Sequence, residues 1–504
     1  MKAIFKIHLI IIFVLSIFCQ SCTNLDEEVY SSIPANDFFK NEEEVIMNVG
    51  RAYTHLQSYI DHFSIWSAQA IASDEAICPY RETNLWWDNG VWVNLQRHDF
   101  YSLYGNTENC WSFIFNGITT CNQIIYQLGE SEVDFPTKNN LLAEVNVMRA
   151  WLYLHALDIF GNVPFATDFA SDELPPQVGR TELFDFIEKE LNDNISLLDD
   201  YQTSGNYGRV TKAMVYTVQA KMYLNAKEWI GREMWTEAVA ACDKVINLDH
   251  FRLESDYFAN FKVNNEGSGE NIFVLPLDAV YTTNRMKFHQ LGLHTLSQQT
   301  FGIVDFCWDG FCAEEAHYML YDDDDIRKNS WLEGPQFDIA GNPLMLSPTR
   351  QLDYRPNIKA LFSEQDPALL DDGVRFAKYE YENGLMGGMN NDFVFYRYAD
   401  VLLMKGEALV RLGRVSDALP YFNEVRARAN ASLYTVADLT LEEILDERSR
   451  ELAWEGHRRQ DQIRFGTWTK AWFEKEAKGD FTKLFPIPYY VLDTNKNIKQ
   501  NDGY

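Results

Sequence analysis

Between Tyr398 and Ala429, small and large apolar residues alternate at a spacing that suits only a pair of close antiparallel helices. Leu402, Gly406, Leu409, Gly413, Ala418, Phe422 and Val425 set the pattern. Gly406 and Ala418 are small enough to let two helices approach, and Leu409 and Phe422 fill the groove between them. This is tetratricopeptide spacing. An earlier stretch repeats it through Tyr216, Ala220, Tyr223, Ala238, Cys242 and Val245, with a longer loop around Trp229–Trp235. Further helical periodicity covers 41–59, 108–128, 141–160 and 182–198, and helix returns over 397–463. The expected fold is mainly α, a scaffold of tetratricopeptide-like helical pairs.

The chain is not all repeat. Residues 72–106 and 250–395 interrupt the periodicity with Gly, Pro, Asn, Asp and many aromatics. They predict long irregular loop insertions, which in a compact protein tend to carry function. Aromatics make up 14% of the 504 residues, too many for these insertions to be disordered.

The N-terminus reads as an address. Lys2 and Lys6 flank the start of a short apolar run, Ile7–Phe18, and Cys22 follows small and polar residues. The run falls short of the roughly 20 residues that span a bilayer and fits an export signal. The expected division is a lipoprotein signal peptide over 1–21, an extended leader over 22–36 lipidated at Cys22, and one domain over 37–504. The formal net charge is -30 and grows more negative once Lys2 and Lys6 leave with the signal. Such a surface repels phosphate backbones, which excludes nucleic acid as a partner, and it disfavours densely anionic polymers more weakly.

No catalytic constellation is visible. Asp74-Glu75, Glu314-Glu315 and Asp322–Asp325 are adjacent carboxylates, whereas glycoside hydrolysis needs two facing each other across a sugar. No nucleophile elbow, HExxH motif or phosphate loop occurs. The expectation is a non-enzyme without metal or cofactor. The Asp322–Asp325 run lacks calcium-loop spacing, and consecutive carboxylates do not converge on one ion. Cysteine spacing gives no zinc framework. An oxidising compartment allows disulfides, with Cys307 and Cys312 the pair to expect and buried free thiols the alternative. Trp111, Trp151, Trp229 and Trp454 sit on helical faces and read as packing.

Four places together resemble the SusD/RagB family of surface-exposed, nutrient-binding outer-membrane lipoproteins. They are Cys22 with its acidic follow-on and Asp37-Phe38-Phe39; Arg149–Tyr153 running to Phe160–Pro164; Glu447–Arg458 continuing to Asp461, Arg464 and Gly466; and Phe485–Pro488 leading to Asn495, Asn497, Gln500-Asn501 and Gly503-Tyr504. The sequence departs from the family pattern at Lys496 and Asp502, where proline is common, and at Cys19, where a lipobox more often has leucine. The resemblance implies a SusD-like scaffold at the outer membrane, docked on a SusC-like TonB-dependent transporter, that captures glycan. It leaves two alternatives: a lid or partner subunit with little glycan affinity of its own, or capture of peptide instead of sugar.

Sugar rings lie on flat aromatic faces while their hydroxyls seek carboxylates, amides and guanidinium groups. The insertion from Ser73 to Trp92 supplies both kinds. Because the family's loop in this region contributes binding residues, Asp74, Arg81, Trp86, Trp87 and Trp92 are the first candidates. Trp308 and Trp331, with Asp309, Phe311 and Tyr318 nearby, lie where the family often places opposing aromatics. Tyr281 is an outlying candidate. Arg448, Arg450, Arg458 and Arg464 interleave with Glu447, Glu451, Glu455 and Asp461 at helical spacing and read as salt-bridged helix structure.

Overall fold

A computed structural model describes residues 39–83, 86–100, 104–282 and 285–504, so the export signal, the leader and Cys22 lie outside the described residues. The scaffold is built from helices α1 (Glu42–His55), α2 (Ile65–Ala70), α3 (Val91–Gln96), α4 (Tyr104–Glu130), α5 (Lys138–Ile159), α6 (Arg180–Asn194), α7 (Lys212–Ile230), α8 (Trp235–Ile246), α9 (Tyr398–Arg411), α10 (Val415–Arg428), α11 (Leu441–Leu452) and α12 (Arg458–Arg464). Neighbours in sequence pack in space: α4 on α5, α5 on α6, α7 on α8 and α9 on α10, with α8 against α9 closing the row. Sequence periodicity and structure agree on the α9–α10 pair. A Cβ on Gly406 would lie 2.4 Å from the Phe422 ring, so only glycine permits this approach of the two helices.

Between α8 and α9 the chain leaves the scaffold for some 150 residues of short strands and turns. Two pairings matter most. The apolar strand Phe393–Arg397 runs antiparallel to Asn271–Leu275 and delivers the chain into α9. Ala76–Ile77 pairs with Cys312–Ala313, with Ile77 opposite Cys312. That short ladder places the loop after Ile77 beside the loop before Cys312, although more than 200 residues separate them. It also settles the cysteines. All six described ones are free and buried, so the expected Cys307–Cys312 bridge is corrected: Cys312 is held in the ladder beneath Gly373, while the Cys307 thiol faces the Asp305 carbonyl.

The Arg/Glu series of α11 and α12 is salt-bridged, but in the core and not along a helix surface. Glu451 is met by Arg327, Arg397 and Arg428, and Glu447 by Arg327, Arg426 and Arg450. Arg397 also binds Glu455 at 2.7 Å and Glu270 at 3.3 Å. Arg448 joins Asp400 and Asp461 at 2.9 and 2.8 Å, and Arg464 joins Glu407 and Asp461 at 2.7 and 2.6 Å. Burial alone would raise the Glu451 carboxyl, yet Arg428, Arg397 and Arg327 hold it well below the usual range. The network ties both insertion and scaffold to α11. In the Asp run, Asp325 caps the next turn and pairs with buried Arg327, while Asp322, Asp323 and Asp324 are exposed.

Glu75 behaves in the opposite way. Buried, it accepts the Trp454 N–H at 2.7 Å, and desolvation pushes its carboxyl up to about 8 against the pull of that hydrogen bond and of Arg458. An acid raised from 4.5 to about 8 stabilises the fold fully below 4.5, and that contribution is lost as pH rises through 8. Glu75→Gln is therefore expected to match the parent near pH 5 and to exceed it by about 1 kcal/mol or more at pH 8.5. Urea unfolding at the two pH values checks this. A parent protein that stays the more stable at alkaline pH would contradict it.

Candidate glycan-binding cleft

The Ile77–Cys312 ladder brings Trp86 and Trp308 together, with ring centroids 5.2 Å apart and planes inclined at 48°. Both rings are half-buried. Trp86 lies against the backbone of Gly310, where a Cβ would come within 2.1 Å of the ring, so residue 310 must lack a side chain for Trp86 to sit there. Beneath them Trp92 forms the floor: it is fully buried, stacks on Phe63 at 4.7 Å and packs against Trp86 at 5.5 Å. His62 completes the corner, 5.8 Å from Trp86 and 5.7 Å from Trp308.

His62 also joins this aromatic corner to a cleft of about 420 Å³. The cleft is lined by Ser58, Asp61, His62, Phe63 and Ser64 from the turn after α1, by Asn109, Ser112, Phe113 and Asn116 from α4, and by His55 and Lys287. Asn109, Ser112 and Asn116 fall at i, i+3 and i+7 and so share one face of α4. A flat aromatic corner beside short hydroxyl and amide side chains suits a ligand with apolar ring faces and many hydroxyls. Ring nitrogen chemistry here is fixed: burial, reinforced by the nearby Lys287 charge, lowers His62 from 6.5 to about 4. His62 stays neutral over pH 5–8, so affinity for a neutral glycan is expected to hold within about twofold across that range. Titration calorimetry at pH 5, 6, 7 and 8 checks it, and a step centred near 6.5 would contradict it.

The other sequence candidates lie elsewhere. Trp87 points away from its neighbour Trp86 and stacks on Phe362 at 5.4 Å, edge-on to Tyr80. Arg81 is buried, and its guanidinium donates to the carbonyls of Asp309, Leu369 and Asp372 at 2.9, 2.7 and 2.8 Å. It fixes the turn that carries Trp308 and offers no free donor to a ligand. Asp74 is closed by a two-pronged ion pair with Arg458, at 2.6 and 2.9 Å. Trp331 is 4% exposed and packs among His317, Phe376 and Trp454. Arg81, Trp92 and Trp331 thus sit in the packing behind the corner, with the Arg81 guanidinium engaged and both rings buried. Tyr281 is 87% exposed on the loop that leads to Arg285 and Lys287. Among the described residues, no group of three or more His, Cys, Asp or Glu is placed to hold a metal ion.

The sequence reading passed over His62, Lys287 and the α4 face. Asn109, Ser112 and Asn116 carry a signal in retrospect, since their spacing makes a polar stripe on a helix otherwise rich in apolar residues. In sequence that stripe is indistinguishable from an ordinary solvent face.

Comparison with known proteins agrees with this architecture. A profile described as "SusD family" matches residues 373–504, and one described as "Starch-binding associating with outer membrane" matches 25–224. The starch-binding protein SusD of Bacteroides thetaiotaomicron is 28% identical over 418 residues, 72% of each chain. A SusD-like protein of Bacteroides ovatus is 24% identical, covering 80% of this chain and 72% of the other. Among solved structures, a laminarin binding SusD-like protein superposes with a TM-score of 0.74 at 20% identity, covering 92% of this chain and 100% of that one. Surface glycan-binding protein A from Bacteroides thetaiotaomicron, in complex with laminarihexaose, gives 0.69 at 22% identity with the same coverage. Both profile matches and the curated SusD relatives lead to one assignment: the chain belongs to the SusD/RagB family.

Proposed function

We propose that this protein is a non-catalytic, lipid-anchored glycan-binding protein of the outer-membrane surface that passes its ligand to a SusC-like TonB-dependent transporter. The observation that carries the reading is the Trp86–Trp308 corner opening beside a hydroxyl- and amide-lined cleft. Starch binding in a relative 28% identical, and laminarihexaose and laminarin in the names of proteins of the same fold, support a glycan as the ligand class. Lipidation at Cys22 and the transporter partner rest on the sequence signal and on family membership.

A second reading, a partner subunit whose main task is to assemble the transporter, draws on the same helical scaffold, since stacked helix pairs commonly serve as docking surfaces. Native affinity gels over a panel of neutral and acidic polysaccharides separate the two. The proposal expects retardation by at least one polysaccharide and its loss in Trp86→Ala/Trp308→Ala. A double variant that remains retarded would overturn the site, and absence of retardation by the whole panel, together with transport that survives the double substitution, would favour the subunit reading.

A further inference from the structure

The cleft holds a cation with no ion pair among the described residues. Lys287 is half-buried on its wall, and no carboxylate among the described residues lies within ion-pair distance of its ammonium. Asp61, the only carboxylate among the described lining residues, engages Arg285 at 3.4 Å and feels the Lys287 charge only at longer range. The Lys287 ammonium stands 5.9 Å from the centre of the Trp308 ring, so the charge and the aromatic platform address neighbouring parts of one ligand. In the same lining, the Ser64 hydroxyl is buried and has no hydrogen-bond partner among the described residues. These groups describe an anion site, with one charge-assisted donor and neutral hydroxyls around it.

Resting on the glycan-binding reading above, we infer that Lys287 selects a glycan bearing an isolated anionic group, a carboxylate or a sulfate ester, on the sugar next to the one stacked on Trp308. The wider charge of the molecule narrows this further. At a net charge of -30 the surface repels a densely charged polymer, while a local positive point in a low-dielectric cleft still attracts a single anion. Sparse acidic substituents on a neutral backbone satisfy both conditions. The acidic surface disfavours densely anionic polymers and leaves room for such a sparsely charged one.

Titration calorimetry on the mature protein tests it with four probes. These are a xylan hexasaccharide carrying one uronate, its carboxyl-reduced counterpart, a galactan hexasaccharide carrying one sulfate ester, and its desulfated counterpart. In the parent, at least one charged probe is expected to bind about tenfold more tightly than its neutral match, the preference falling with added salt. Which of the two pairs shows it distinguishes carboxylate from sulfate. Lys287→Met is expected to bring that ratio to about one, and Lys287→Arg to restore it, with circular dichroism verifying the fold of each. A parent that binds neutral and charged probes equally, or a ratio that survives Lys287→Met, would overturn the role of Lys287. If binding is then still lost in Trp308→Ala, the glycan cleft itself stands. Absence of binding by all four probes, and by the polysaccharide panel, would overturn both.

Discussion

Replacing Arg397 with alanine is expected to remove on the order of 3–5 kcal/mol from the unfolding free energy, the range for breaking a fully buried ion pair on one side. Arg397 has no exposed surface and meets three carboxylates, Glu270, Glu451 and Glu455, which also have none. Without it Glu455 keeps only Lys378, and Glu451 keeps Arg327 and Arg428. Glu270 keeps Arg428, so the buried cluster is left one positive charge short, and the excess negative charge must be neutralised or hydrated at the junction of scaffold and insertion. Arg397→Lys should fall between the two, because one ammonium cannot span three carboxylates that a guanidinium fork reaches together. Lys189→Ala supplies the control: its pair with Asp193 is exposed on both sides, and its removal should leave the urea midpoint unmoved. An Arg397→Ala protein with the parent's midpoint would show that the network does not hold the fold.

Trp308→Ala is expected to weaken glycan binding by about thirtyfold or more, equivalent to ~2 kcal/mol, as for the central aromatic anchor of an interface. The ring faces Trp86 and His62 and lies beside Lys287, so its removal takes away the stacking surface and opens the corner together. Trp87→Ala is the matched comparison. Its ring is spent on Phe362 and Tyr80, and binding should stay within about twofold of the parent. Titration calorimetry with a glycan found by the affinity gels reads both. Equal losses at Trp87 and Trp308, or none at Trp308, would place the ligand elsewhere.

The scaffold was legible because helix packing writes itself locally. Gly406 and Ala418 announce a close crossing, and the ring that crosses Gly406 is Phe422, sixteen residues on. The site was only half legible, since aromatic loops mark a neighbourhood without saying which way each ring turns. Trp86 and Trp87 are adjacent, yet one ring packs against Trp308 and the other against Phe362 in a separate aromatic cluster. Charged residues misled more. In an irregular loop Asp74 and Arg81 read as available to solvent and ligand. Their partners are 384 and 228 residues away, at Arg458 and the Asp309 carbonyl, beyond anything local spacing reports. For the same reason the carboxylates of the Arg/Glu series read as salt-bridged at helical spacing, with no sign of the distant cations. Arg450 meets Glu447 from the same helix, but Arg327, Arg397, Arg426 and Arg428 reach Glu447 and Glu451 only through the tertiary fold. Lys287 carried no signal at all, because what sets it apart is the lack of an ion pair among the described residues.

A crystal structure of the protein with a bound hexasaccharide tests the central claim most directly. A sugar ring is expected against Trp308 and Trp86, with hydroxyls directed toward Asn109, Ser112 and Asn116. A sugar seated instead on Trp87 and Phe362, or anywhere that leaves the Trp86–Trp308 corner open, would contradict it.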